Sequence, residues 1–210
     1  MSDIDVLNPT LAGKREQTKA ANRRAILDAA RQVFAELGFE LASVRDIIRR
    51  TNLSVGAFYN YFRSKEEVYE ALSDDGARRF RPLLQAEGEK ASDFASYIRG
   101  AITAYYRFLV DEQKMVAPIA GHALAHPHVR IETPEMKAVF DQVKASVANV
   151  LERERGPHVD VDYLAAACIA IAREVGDLML ERRPIDVDAA VEFAVQMILG
   201  GLPALPQLKA

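Results

Sequence analysis

Apolar residues recur at helical spacing along most of the chain. Ile26, Ala29, Ala30, Val33, Phe34 and Leu37 form one stripe, and Gly38 follows where a left-handed C-terminal cap is wanted. Ser43 precedes Val44, Ile47 and Ile48, Thr51-Asn52-Leu53 makes a short turn, and Ser54 precedes Val55, Phe58 and Phe62, an expected inward face. Ser64 opens a further helix at Lys65, with Glu66 and Glu67 in its first turn. Pro82 should kink or end that helix.

After Lys65 the pattern predicts helices and no convincing strand. Phe94, Tyr97, Ile98, Ala101, Ile102, Tyr105, Phe108 and Leu109 make a strong amphipathic stripe. A shorter helix is expected over about 114–125, then a loop from His126 to Pro134. Met136, Val139, Phe140, Val143, Val147, Val150 and Leu151 mark another helix, stopped at Gly156-Pro157. The last pair is expected over about 161–182 and 186–199. Leu164, Cys168, Ile171, Val175 and Leu178 give the first of these one face, while Val187, Ala190, Val191, Ala194, Val195, Ile198 and Leu199 span a wide arc of the second. Helices apolar on more than one stripe are expected to be buried on more than one side, by their own core and by a second copy. A hairpin buried within a monomer is the alternative.

Two short helices joined by so tight a turn are the organisation of a helix-turn-helix DNA reader. The outward positions Gly56, Ala57, Tyr59, Asn60 and Tyr61 suit that use. Small residues let a helix approach DNA, tyrosines hydrogen-bond phosphate oxygens, and an asparagine amide reads a base edge.

This segment resembles the TetR family of bacterial transcriptional regulators. The resemblance rests on Phe34-Ala35-Glu36-Leu37-Gly38-Phe39, on Ser43-Val44-Arg45-Asp46-Ile47, and on Ser54-Val55-Gly56-Ala57-Phe58-Tyr59-Asn60-Tyr61-Phe62 followed by Ser64-Lys65-Glu66-Glu67. Ile48 and Phe58 depart from the smaller residues usual there and should repack the small core. The resemblance implies that Ser43, Tyr59, Tyr61 and Lys65 hold phosphates, with Arg45, Val55, Gly56, Ala57 and Asn60 at or near base edges. Ser54, as the cap, belongs to the same DNA-binding set. It also implies an all-α fold: an N-terminal three-helix helix-turn-helix domain and a C-terminal helical domain for ligand binding and dimerisation. The expected division is a flexible, basic-ended arm over 1–19, the DNA-binding domain over 20–64 and the effector and dimerisation domain over 65–210.

Charge supports this division. The net charge is −3, yet residues 14–65 carry 11 Lys/Arg against 5 Asp/Glu, while the chain from Glu66 onward carries 16 against 23. A cationic head on an acidic body attracts phosphates at one end only. Lys14, Arg15 and Lys19 could reach the phosphate backbone or minor groove from a basic arm, or lie on a frayed lead into the first helix.

The remaining chemistry is sparse. Tyr105, Tyr106, Phe108, Met115, Met136 and Phe140 are candidates to line an effector cavity, with plain core as the competing reading. Few charges interrupt those faces, so an apolar or amphipathic ligand is expected. His122, His126 and His128 invite a metal, but no nearby Cys completes a ligand set, and neither metal nor cofactor is expected. Cys168 is the only cysteine and reads as a small buried hydrophobe; its solitude and the acidic, poorly apolar start point to the cytoplasm. The apolar run around Cys168, residues 164–172, is far shorter than the roughly 20 residues of a membrane span. No nucleophile elbow, phosphate-cradling Gly-rich loop or His-Glu metal helix suggests an enzyme. The expected function is a homodimeric DNA-binding regulator, a repressor released from a palindromic operator by a small ligand. The competing reading is a helical protein-interaction module that does not bind DNA.

Overall fold

A computed structural model describes residues 9–116 and 133–207. The described residues are helical, without a strand, and fall into two compact units, 1–72 and 73–210.

The first unit contains α1 (Pro9–Leu41), α2 (Val44–Arg49), α3 (Val55–Tyr59) and the start of α4 (Lys65–Lys90). Helix α1 begins at Pro9, so Lys14, Arg15 and Lys19 stand on a helix and not in the expected flexible arm. Gly38 has φ +74°, a left-handed conformation, and interrupts α1 before a last short turn to Leu41. The core is built from Ile26, Ala30, Val33, Phe34, Ile47, Phe58, Phe62 and Val68. Phe58 is fully buried, and its ring lies 6.2 Å from that of Phe62. Ile48 is half-buried and Leu37, expected in the stripe, is exposed.

The second unit contains the rest of α4, then α5 (Phe94–Val116), α6 (Pro134–Arg153), α7 (Val161–Glu181), α8 (Val187–Gly201) and a 3₁₀ turn (Leu202–Ala204). Helix α4 runs through Pro82, which neither ends nor breaks it. Three starts carry side-chain caps: Thr133 Oγ1 accepts from Met136 N, Asp160 from Asp162 N and Tyr163 N, and Asp186 from Ala189 N. Helix α5 packs against α6, α7 and α8 and supplies Phe94, Tyr97, Ile98, Ile102, Tyr106 and Leu109 to the core.

The faces of α7 and α8 differ from the expected ones. The inward residues of α7 are Leu164, Ala165, Cys168, Gly176, Met179 and Leu180, while Leu178 turns outward. On α8, Val191, Ala194, Val195 and Ile198 face the unit's own core, leaving Phe193 and Met197 exposed. Among the described residues, one stretch, 187–204, is long and apolar enough to cross a membrane, at mean hydropathy 1.3.

Candidate nucleic-acid interface

Helix α2 begins with a reciprocal cap. Ser43 Oγ accepts from Asp46 N at 3.3 Å, and the Asp46 carboxylate accepts from Ser43 N at 3.1 Å. The Ser43 hydroxyl also donates to that carboxylate, and these bonds hold Asp46 below the usual carboxylate pKa. The turn is closed by Thr51, whose hydroxyl donates to Ile48 O at 2.9 Å and accepts from Leu53 N at 3.2 Å. Ser54 Oγ then accepts from Ala57 N at 3.2 Å and starts α3. Buried Phe58 anchors α3 inward, so the opposite side faces solvent.

That open side brings together most of the predicted residues. Val55 is 57% exposed and Tyr59 53% exposed, with Gly56 and Asn60 also exposed and Ala57 half-buried. Val55 therefore lies outward, against the inward face expected for it; three residues leave it about 60° around the helix from Phe58, which is the buried anchor of α3. Arg45 is exposed on α2. A Cβ built on Gly56 meets no atom within 4 Å, so packing within the chain does not require glycine there.

Three predicted phosphate contacts have hydrogen bonds inside the unit. Tyr61 Oη accepts from Asn22 Nδ2 at 3.2 Å, which leaves the phenol proton for an outside acceptor. The Ser43 hydroxyl proton is engaged by Asp46. Lys65 Nζ donates to Phe39 O, Glu40 O and Ala42 O at 2.8, 3.1 and 3.1 Å and lies 4.6 Å from the Phe39 ring centroid. Its three protons thus close the carbonyl end of α1. Asn22 was not legible as a site residue, since its partner is 39 positions away. Beside Tyr61, the side chains of Lys14, Arg15, Thr18 and Lys19 line a cleft. The charge count had marked the basic residues of this set, but not their meeting with Tyr61.

The predicted effector residues are gathered only in part. The Phe80 ring lies 5.3 Å from Tyr105 and 5.5 Å from Phe108. Arg79 stands 5.6 Å over the Phe108 ring and pairs with Glu112 through two hydrogen bonds, one of 2.7 Å. Tyr106 is fully buried, whereas Phe140 is half-buried and Met136 is 36% exposed. Met115 belongs to α5, but its side chain lies outside the described residues, as do His122, His126 and His128. Among the described residues no His, Cys, Asp and Glu side chains group as metal ligands. Cys168 is buried as expected, and burial pushes its thiol up to about 12.

A second apolar feature lies on the outer side of α7 and α8. Val175, Leu178, Met179, Arg182, Ala190 and Phe193 line a groove, with Leu178 48% and Phe193 61% exposed.

Comparison with known proteins agrees with the geometry of the first unit. A family model described as bacterial regulatory proteins of the TetR family matches residues 26–72. The HTH-type transcriptional activator FasR of Mycolicibacterium smegmatis is 26% identical over 190 residues, covering 88% of this chain and 84% of that protein. An HTH-type transcriptional repressor of Mycobacterium tuberculosis is 38% identical over 73 residues, 35% of this chain and 39% of its own length. The fatty acid degradation regulator FadR of Bacillus halodurans superposes with a TM-score of 0.67 at 21% identity, over 86% of this chain and 95% of that one. FadR of Bacillus subtilis, in complex with stearoyl-CoA, gives 0.68 at 16% identity over 85% and 98%. At these identities the two structures establish a shared fold.

Proposed function

We propose that the chain is a DNA-binding transcriptional regulator of the bacterial TetR family, acting as a homodimeric repressor released from a palindromic operator by an acyl thioester. The open face of α3 carries the DNA reading. Val55, Gly56, Tyr59 and Asn60 are presented to solvent by a helix that Ser54 caps and Phe58 fixes. In this reading Ala57 and Arg45 flank the base edges, Tyr59 and Tyr61 bind phosphates, and Lys14, Arg15 and Lys19 add charge beside Tyr61. Ser43 and Lys65 contribute mainly by holding α2 and the end of α1, given the bonds they already make.

Dimerisation is assigned to the exposed side of α7 and α8, where Leu178, Phe193 and Met197 would be covered by their symmetry mates. Two α3 helices would then meet successive major grooves, with half-sites about 34–36 Å apart. The acyl thioester is favoured by the apolar α5 core and by a similar fold that holds stearoyl-CoA. Repression needs only occupancy of a promoter by a tight DNA binder, whereas activation needs a further surface for polymerase. Ligand would act by selecting a conformer whose α3 helices no longer fit both half-sites.

Capture of genomic fragments by the purified protein, followed by footprinting, tests the DNA reading. The expected result is a pair of inverted half-sites one helical turn apart. Retention of no fragment at low salt would instead favour the protein-interaction module. Transcription from the captured promoter, with and without palmitoyl-CoA, then fixes the sign of regulation.

A further inference from the structure

Asn22 stands on α1, 39 positions before Tyr61, yet its amide reaches the phenol: Nδ2 donates to Tyr61 Oη at 3.2 Å. The register of α1 explains the placement. Arg15, Thr18, Lys19, Asn22 and Ile26 fall at helical spacing on one face. Ile26 is fully buried and ties that face to the core of the first unit. Asn22, one turn earlier, is half-buried at the edge of that core. The next two turns toward the N-terminus carry Thr18, Lys19 and Arg15, all exposed. With Lys14 and Tyr61, these last three line an open cleft.

The hydrogen-bond donors of the cleft fall into two kinds. Lys14, Arg15 and Lys19 bring positive charge, and none of the described lining residues is acidic. Thr18 Oγ1 donates to Lys14 O at 2.9 Å, so its proton is engaged within the helix. Tyr61 brings a neutral donor. Its oxygen accepts from Asn22, and the single phenol proton is left for an acceptor in the cleft. The same bond restrains the hydroxyl and polarises it toward donation. A cationic cleft with one restrained neutral donor fits an anion rich in acceptor oxygens. Just past the open face of α3, that anion is a DNA backbone phosphate.

We propose that Asn22 is a positioning residue for DNA binding: it holds the Tyr61 hydroxyl as a donor to a backbone phosphate seated in the cleft of Lys14, Arg15 and Lys19. The assignment rests on the DNA-binding reading above and adds to it a residue that itself touches no DNA. Phosphates carry no sequence information, so this contact supports operator and unrelated DNA alike. A neutral donor also displaces no counterion, which separates Tyr61 and Asn22 from the cations beside them.

The test is a double-mutant cycle on the full-length protein, read by fluorescence anisotropy on a captured operator fragment and on unrelated duplex across a salt series. Tyr61→Phe should weaken binding to both DNAs by about tenfold, the loss of one hydrogen bond to a charged group. Asn22→Ala should weaken both by about threefold with an unchanged salt slope, the cost of ordering a freed side chain on binding. Alanine is the better helix former, so α1 should keep its fold. In the Tyr61→Phe protein, Asn22→Ala should cost nothing further, because the group it positions is gone. Lys19→Ala should instead reduce the salt slope by about one. Wild-type affinity in Asn22→Ala, or an equal loss in the Tyr61→Phe background, overturns the assignment alone. A loss confined to the operator would mean that the bond only places α3, and overturns it too. An unchanged slope in Lys19→Ala would remove the phosphate from the cleft and the assignment with it. A wild-type protein that binds neither DNA overturns the DNA-binding reading as well.

Discussion

Gly56 and Lys65 illustrate opposite origins for residues that look alike in a motif. Gly56 sits in a helix, where glycine costs about 0.5–1 kcal/mol relative to alanine, and nothing in the unit needs its lack of a side chain. Gly56→Ala should therefore raise the stability of the free protein by up to about 1 kcal/mol while weakening operator binding, because a methyl group stands between α3 and the groove. Chemical denaturation and fluorescence anisotropy on the same protein separate the two effects; tighter or unchanged DNA binding would remove Gly56 from the interface. Lys65 does the reverse. Its ammonium bonds three carbonyls at the end of α1, so Lys65→Met should destabilise the first unit by about 1.5–3 kcal/mol, the usual range for hydrogen bonds to a charged group. The salt dependence of operator affinity should keep its slope, since counterion release tracks phosphate contacts. A slope reduced by about one would return Lys65 to the phosphates. Sequence showed both residues as motif members but not this division, because a bond across 26 positions has no local signature.

At the scale of elements, the start of α1 at Pro9 escaped the sequence reading, but the caps at Ser43 and Ser54 were legible. Ser43, Ser54, Thr133, Asp160 and Asp186 all cap helices, for the simple reason that a side-chain oxygen satisfies an otherwise orphan backbone N–H. Direction was not. Helix α8 is apolar over so wide an arc that periodicity could not tell Val191 from Phe193; only the position of α5 decides which is inside. Pro82 predicts a kink or an end to α4, yet α4 continues through it, with Phe80 and Leu84 buried on either side. Packing between α5 and α7 also sets a pH response. Burial raises Cys168 from 9.0 and Tyr97 from 10.0, each to about 12. Both groups are neutral in the folded state, so their contribution is complete below pH 9 and is lost as pH rises toward 12. Denaturation midpoints should accordingly fall above pH 9, and Cys168→Ala should show a shallower fall from a lower starting stability. An equally steep fall in that variant would locate the alkaline sensitivity elsewhere.

For the molecule as a whole, the two-unit division follows the charge asymmetry read from the sequence, with the basic segment inside residues 1–72. The proposed assembly places a test at Phe193, since Val191 and Ala194 serve the unit's own core and their loss would confuse assembly with folding. Phe193→Glu should leave the helical content and thermal midpoint of the monomer close to normal but shift sedimentation at micromolar concentration to a single-chain species. It should also reduce operator affinity by at least tenfold, since one half-site alone remains to each chain. A dimeric Phe193→Glu protein would move the interface away from this face.

The exposed apolar face of α7 and α8 carries a consequence for dosage. If pairing creates the DNA-competent species, promoter occupancy at low abundance scales with the square of chain number instead of linearly. Halving the supply of protein during growth would then cut the competent species about fourfold, and the gene under control would respond to dilution itself as a signal.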